Sequence, residues 1–398
     1  MSKYFNLRLL FLFVLVTLAG IDLLSLQYGG LTIRLSYFIY LFAFVINLNK
    51  IRFNYRHLLA LLFFIIMCVP SIFVSLYPIK SFAYLIWIAF SYYVIFSLFY
   101  LFAKEYKNEL FRAIMYSYRF QIILGLCLCI YGLQERVGLL YYEPSSFALS
   151  LIIYISFVVV KMLRYGPKSN SVDIILIFAA LVVTKSGTLL LVLPLVYLLS
   201  IICYFNTLKT WIKSFAMFTV LIIVALLYVQ SLNENDLLSR TLRGLLFTSG
   251  SINNSIEYLI GRGGNRFPRM QAAVGVFLHQ PYYGQGIGAY DFKSIEQDIK
   301  EIKIDNLYYL KDIRETPPIN IYFELLATGG LAALIGFVLF LVAIYSKNQA
   351  ICNDYLCQSY YVSFLAFLII LGIEANYLRA YLWMLFGMYA GSCYMEKT

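Results

Sequence analysis

The chain has 398 residues, of which 62% are hydrophobic and only 13% charged, with a mean hydropathy of +0.79. A soluble core cannot hide that much apolar surface, disorder needs low hydrophobicity with high charge, and an outer-membrane barrel would alternate apolar and polar residues where this chain has long continuous apolar runs. The exclusions leave an all-α polytopic membrane protein. In such a protein a formal charge of +11, from 31 Lys and Arg against 20 Asp and Glu, is first a question of sidedness rather than a sign of nucleic acid.

A helix needs about 20 apolar residues to cross the hydrocarbon core. Twelve stretches qualify: 9–26, 31–47, 57–77, 81–103, 113–133, 144–163, 172–186, 187–205, 211–229, 318–345, 358–373 and 376–394. The first lacks a small-residue cleavage site and is followed almost at once by the next, so it reads as a span and not as a cleaved signal peptide. The run 172–205 is broken only by Lys185-Ser186-Gly187-Thr188, which reads as a tight turn between two short spans. Three parts follow: spans 1–9 over residues 1–229, a long polar loop over 230–317, and spans 10–12 over 318–398.

Lys and Arg bias sets orientation. With both termini in the cytoplasm, the cytoplasmic segments hold 15 basic residues against five acidic ones, and the short outer connections are nearly neutral. The long loop then lies on the outer, periplasmic face with ten basic and ten acidic residues. Two pieces of it read as helical, Leu237–Phe247, which puts Arg240 and Arg243 beside a leucine-rich face, and Arg269–Gln280 with apolar spacing at Ala272, Ala273, Val276 and Phe277. The seven cysteines form no CxxC and have no histidine partners at zinc spacing, so most read as small buried hydrophobes and no metal is expected. No cofactor is implied.

Four constellations fall on the expected outer side. Tyr141-Tyr142-Glu143-Pro144-Ser145-Ser146 places Pro144 in the first turn of a helix and Glu143 at its N-terminus, a place that favours a carboxylate; a charged cap at the membrane surface has the same pattern. Lys185 stands between two apolar spans with no acidic neighbour in sequence, which suits either a functional cation or a side chain reaching for headgroups. Arg262, Arg266 and Arg269 lead to Pro281-Tyr282-Tyr283-Gly284-Gln285-Gly286-Ile287-Gly288. Arginine forks suit phosphate oxygens, and glycines at 284, 286 and 288 permit a tight turn close to a ligand; contact with lipid phosphates is the plainer reading. Pro317-Pro318-Ile319-Asn320 opens the tenth span, with Asn320 as its cap and Gly329-Gly330 beyond. His57 reads as structural, and a lone His279 in the loop is weak evidence for a base.

The order of these pieces resembles the O-antigen polymerase and ligase superfamily, and its Wzy-type polymerases in particular, over roughly residues 30–393. The resemblance implies an architecture similar to GT-C-like lipid-linked glycosyltransferases and a site facing the periplasm from the bacterial inner membrane. It departs from the family pattern at Thr328, where an acidic residue is common, and around the Ser-Gly turn, which a serine and an arginine commonly flank and which Lys185 precedes and Thr188 follows here. Related ligases usually carry a histidine on the final outer loop. Ile319-Asn320 stands in its place here, which favours a polymerase.

The donor implied is an undecaprenyl-pyrophosphate-linked glycan and the acceptor a lipid-linked repeat unit. Membrane lipid, a chain-length-regulating co-polymerase and a flippase are the further partners, and nucleic acid is not among them. Arg269 would stabilise the leaving pyrophosphate and Glu143 would act as base or orient the acceptor hydroxyl. Lys185, Arg262, Arg266, Gly284, Gly286 and Asn320 would bind substrate. Two alternatives stand beside the polymerase: a ligase passing glycan to lipid A–core, and a transporter or flippase. A transporter tends to carry polar groups at midplane on broken helices, whereas Asp22, Arg34, Arg119, Glu324, Glu374 and Arg379 are expected near span ends.

Overall fold

The structure, a computed structural model, describes residues 6–21, 24–28, 31–134, 136–141, 143–205, 207, 211, 219, 266–289, 318–345, 353–373 and 378–392. The expected helix Leu237–Phe247, nearly all of the expected span 211–229, and Arg262 lie outside them. The helices are α1 (Leu7–Leu18), α2 (Leu35–Asn47), α3 (Tyr55–Val74), α4 (Pro78–Phe90), α5 (Ser97–Glu105), α6 (Lys107–Ile130), α7 (Pro144–Ser150), α8 (Ile152–Tyr165), α9 (Ser171–Thr184), α10 (Gly187–Tyr204), α11 (Arg266–His279), α12 (Ile321–Ile344), α13 (Tyr355–Ile370) and α14 (Ala380–Ser392). A π-helical turn, Ser91–Phe96, joins α4 to α5.

Among the described residues six helical spans are long and apolar enough to cross a membrane: Tyr55–Val74, Pro78–Glu105, Lys107–Ile130, Pro167–Thr184, Gly187–Tyr204 and Ile321–Ile344. The pair α7–α8, bent by 42°, makes a seventh. The chain is an all-α integral membrane protein. Local chemistry sets many boundaries. Asn6 caps α1, Asn54 caps α3 and Asp354 caps α13, each accepting a backbone N–H in the first turn. Pro78 and Pro144 open α4 and α7, where a missing N–H costs nothing.

The two spans expected at 9–26 and 31–47 are not continuous apolar helices. Helix α1 stops at Leu18, and Ser25–Tyr28 (β1) pairs antiparallel with Leu31–Arg34 (β2), Ser25 opposite Arg34 and Tyr28 opposite Leu31. The physical reason is local: Tyr28, Thr32 and Ile33 favour extended backbone, and Gly29-Gly30 in sequence is a hairpin dipeptide, so an apolar count over the region overstates its helix. The expected division of 172–205 is present, with α9 ending at Thr184 and α10 starting at Gly187.

Packing follows small residues. Gly336 of α12 lies against the Phe64 backbone of α3, and Gly387 and Gly391 of α14 lie against the backbone around Phe96 and Tyr100. Without side chains these positions bring helices close enough for dispersion to act over the whole contact. Aromatics fill much of the core: Tyr40, Tyr92, Tyr118, Tyr154, Tyr360, Tyr381, Tyr389 and Trp383 are fully buried. Phe364 and Tyr389 stack with ring centroids 4.1 Å apart.

Arg119 is not near a span end. It lies midway along α6 and forms a two-pronged ion pair with Asp173 of α9, Nε to Oδ1 at 2.6 Å and the second guanidinium nitrogen to Oδ2 at 2.8 Å. Tyr154 of α8 donates to the same Oδ1 at 2.7 Å. Three helices are tied by one buried carboxylate whose acceptor positions are used, which makes a charge tolerable in an apolar interior.

Candidate functional site

One end of the bundle, here the hairpin end, collects most of the motifs. The Tyr37 hydroxyl and an Arg34 guanidinium nitrogen both donate to the Leu378 carbonyl, at 3.3 and 3.5 Å, joining the start of α2 to the start of α14; Arg34 also bonds the Tyr37 hydroxyl. Asn320 caps α12 by accepting from the N–H groups of Tyr322 and Phe323, at 2.9 and 3.2 Å. Its amide nitrogen donates to the Gly372 carbonyl at 2.6 Å. The expected cap is therefore present, and it also clamps α12 to the end of α13.

The segment before α7 docks at the same end. Val137 N–H donates to the Val183 carbonyl at 3.1 Å, next to the turn that carries Lys185. Tyr141 fills the space over Gly20, donates to Gln121 at 3.0 Å and accepts from Ser150 at 2.8 Å. Held between these contacts, Glu143 stands exposed at the start of α7 with extended backbone, and Ser145 donates to its Oε2 at 3.1 Å. A carboxylate at this helix start keeps its proton-accepting oxygens toward the open side. Lys185 ends α9 in the left-handed region at φ 46°, ψ 36°, half-buried. A non-glycine residue held there is a place of local strain and is common where a side chain must be aimed.

The glycine-rich turn shows the strongest design. Helix α12 is broken at Gly330, φ 68°, and the break releases backbone groups on both sides. The turn supplies their partners. Gln285 and Gly286 donate to the carbonyls of Ala327 and Thr328, at 3.0 and 2.8 Å. Leu331 and Ala332 donate back to the carbonyls of Pro281 and Tyr282, at 2.8 and 3.4 Å. A broken helix inside a membrane protein survives only where such partners exist. A Cβ at Gly284 would meet the Thr328–Gly329 backbone, and one at Gly286 would meet Ser75 and Ser81. Both carry positive φ, 62° and 110°. Close approach is thus needed, as the sequence suggests, and what approaches is the backbone of α12, Ser75 just after α3 and Ser81 of α4.

Helix α11 runs into that turn and packs along α12. Its residues Ala272, Ala273 and Val276 are buried at 0%, 1% and 0% exposure. Arg269 precedes them at helical spacing, so it lies on the inward face, half-buried, with its Nε enclosed. Arg266 opens the helix. The expected helix Arg269–Gln280 is therefore present, one turn longer at its start. His279, in its last turn, is exposed, and His57, buried in the first turn of α3, packs edge-on to Phe96 at 5.8 Å.

Sequence reasoning left four residues out of the site that the fold brings to this end. Gly288 presses on the Tyr84 ring, and Tyr84 lies within electrostatic reach of Glu324, Arg34 and Arg379. Glu324 is 5% exposed on the first turn of α12. Ionisable residues inside apolar spans are expensive, and that rule is the signal that would have marked Arg34, Glu324 and Arg379. Among the described residues no three of His, Cys, Asp and Glu gather closely enough to hold a metal ion.

Residues 174–341 match a protein-family model described as O-antigen ligase. The matched stretch starts in α9 and ends in α12, so it takes in Lys185, Arg262, Arg266, Arg269, Gly284, Gly286 and Asn320. A comparison with curated proteins finds no match.

Proposed function

We propose that this chain, which carries the O-antigen ligase family domain over residues 174–341, polymerises undecaprenyl-pyrophosphate-linked oligosaccharide repeat units at the periplasmic face of the bacterial inner membrane. The family points to glycosyl transfer in O-antigen synthesis, by a polymerase or by a ligase. The observation that supports the proposal is the turn 281–288 locked into the break of α12, which holds α11 with Arg269 on its packed face, at the bundle end where Glu143 starts α7 and Lys185 ends α9.

In the proposed reaction the acceptor hydroxyl oxygen attacks the anomeric carbon of the donor sugar. Its proton passes to the Glu143 carboxylate, which Ser145 orients. The bond from the anomeric carbon to the pyrophosphate oxygen breaks, and undecaprenyl pyrophosphate leaves with the electron pair. Arg269 stabilises the charge that grows on that oxygen, aided by Lys185, Arg262 and Arg266. Cations fixed in place before the reaction act strongly because they need no reorganisation as the charge develops. Gly284 and Gly286 set the turn against α12 and so fix where α11 presents Arg269. Asn320 holds the start of α12, the floor on which both rest.

The ligase reading is separated by product. Deleting the gene is expected to leave lipopolysaccharide capped with a single repeat unit, read as the loss of the high-molecular-weight ladder on a gel. Accumulation of long polymer on the lipid carrier in that strain would assign the ligase reaction instead, and an unchanged ladder would remove both. A flippase reading predicts repeat units stranded on the cytoplasmic leaflet, a third distinguishable outcome.

A further inference from the structure

At the end of the bundle opposite the hairpin lies a cavity of about 370 Å³, lined by Asn49, Lys50, Arg52, Tyr100, Lys104 and Glu105 among others. Three cations and one carboxylate give it an excess positive charge. The end of α2 and the segment after it supply Asn49, Lys50 and Arg52, and the last turns of α5 supply the rest. Lys50 is braced by Tyr106, whose hydroxyl bonds its Nζ at 3.1 Å. The Arg8 guanidinium lies 4.2 Å from the centroid of the same Tyr106 ring.

The surroundings of the mouth are as telling as its lining. Val45, Ile46 and Leu48, just before it, are 60%, 60% and 52% exposed, and Phe53 and Tyr55, just after it, are 40% and 72% exposed. A cationic hollow bordered at once by exposed apolar side chains matches a molecule with an anionic head and hydrocarbon tails. A purely orienting excess of Lys and Arg needs no hollow.

We propose that this cavity binds the phosphodiester headgroup of an anionic phospholipid, with the acyl chains lying along the exposed apolar residues at the end of α2 and the start of α3. The ligand chemistry is a phosphate oxyanion. Basic hollows between transmembrane helices suit it because each nearby Lys or Arg adds attraction in an environment of lowered dielectric. The site stands at the far end of the bundle from the proposed glycosyl-transfer site and does not rest on that function. By the orientation expected from charge bias it faces the cytoplasmic leaflet, where anionic lipid would hold this edge of the bundle in register.

The test uses the full-length protein in neutral detergent, with native mass spectrometry after addition of phosphatidylglycerol, phosphatidylcholine or inorganic phosphate. One phosphatidylglycerol is expected to stay bound in preference to phosphatidylcholine. Its affinity should fall about a hundredfold in a Lys50→Gln/Arg52→Gln/Lys104→Gln variant, at about 1 kcal/mol for each cation. The Arg52→Lys variant, which keeps the charge, is expected to retain most of the binding and controls for a folding defect. Equal retention of the two lipids, or phosphatidylglycerol binding unchanged in the triple variant, would overturn the proposal. Saturable inorganic phosphate binding at this site with no lipid preference would overturn the lipid assignment in favour of a free anion.

Discussion

Replacing Arg269 with alanine is expected to reduce glycan polymerisation about 100- to 1,000-fold, the usual cost of removing one preorganised charge-stabilising donor. Arg269 shares its helix face with Ala272, Ala273 and Val276, all buried against the bundle, so its side chain is directed into the hairpin end rather than over the surface. Helix α11 is fixed in turn by the ladder between residues 281–286 and the break in α12. An Arg269→Lys variant keeps the charge but loses the planar fork, and is expected to fall between wild type and alanine. The readout is the lipopolysaccharide ladder normalised to the amount of inserted protein. A near-normal chain length in Arg269→Ala would take Arg269 out of the reaction.

The second large effect concerns the fold. Asp173→Ala is expected to lower the stability of the detergent-solubilised protein by on the order of 3 kcal/mol, because it strands the Arg119 guanidinium and the Tyr154 hydroxyl in an apolar interior. The figure is set at the low end of the range for broken buried pairs because the Arg119 side chain is 34% exposed. An Arg119→Met/Asp173→Leu double variant is expected to recover most of the loss, since an apolar pair of similar size removes the stranded charge. The midpoint of thermal unfolding measures both. An unchanged midpoint in Asp173→Ala would show that the pair carries little of the packing among α6, α8 and α9.

Much of this was legible in the sequence. Long apolar runs, the Lys185–Thr188 interruption, Pro144 at a helix start, Asn320 as a cap and the helical spacing of Ala272, Ala273 and Val276 rest on local chemistry, and local chemistry is what a single sequence displays. The hairpin was not legible in an apolar count, since the apolar runs on either side reach into it at Leu26 and Leu31 and only Gly29-Gly30 with Thr32 and Ile33 mark it. The partner of the glycine turn was equally hidden. Gly284 and Gly286 announce a close approach, but nothing in their spacing says that a helix broken at Gly330, more than 40 residues on, is what approaches. The Arg119–Asp173 pair is separated by 54 residues, and its geometry exists only once α6 and α9 are side by side. The gathering of Arg34, Glu324 and Arg379 around Tyr84 has the same cause: each residue looks like a span-end charge alone, and the helix arrangement makes them a group.

The most direct test of the central claim is elongation by the purified protein alone, reconstituted in vesicles with synthetic undecaprenyl-pyrophosphate-linked repeat units from the host glycan. The account predicts a ladder of lipid-linked products rising by one repeat unit per step, with free undecaprenyl pyrophosphate released in equal number and both signals lost in Glu143→Gln and Arg269→Ala. Repeat units left unextended by well-folded protein, while the same vesicles pass preformed polymer to lipid A–core, would contradict it.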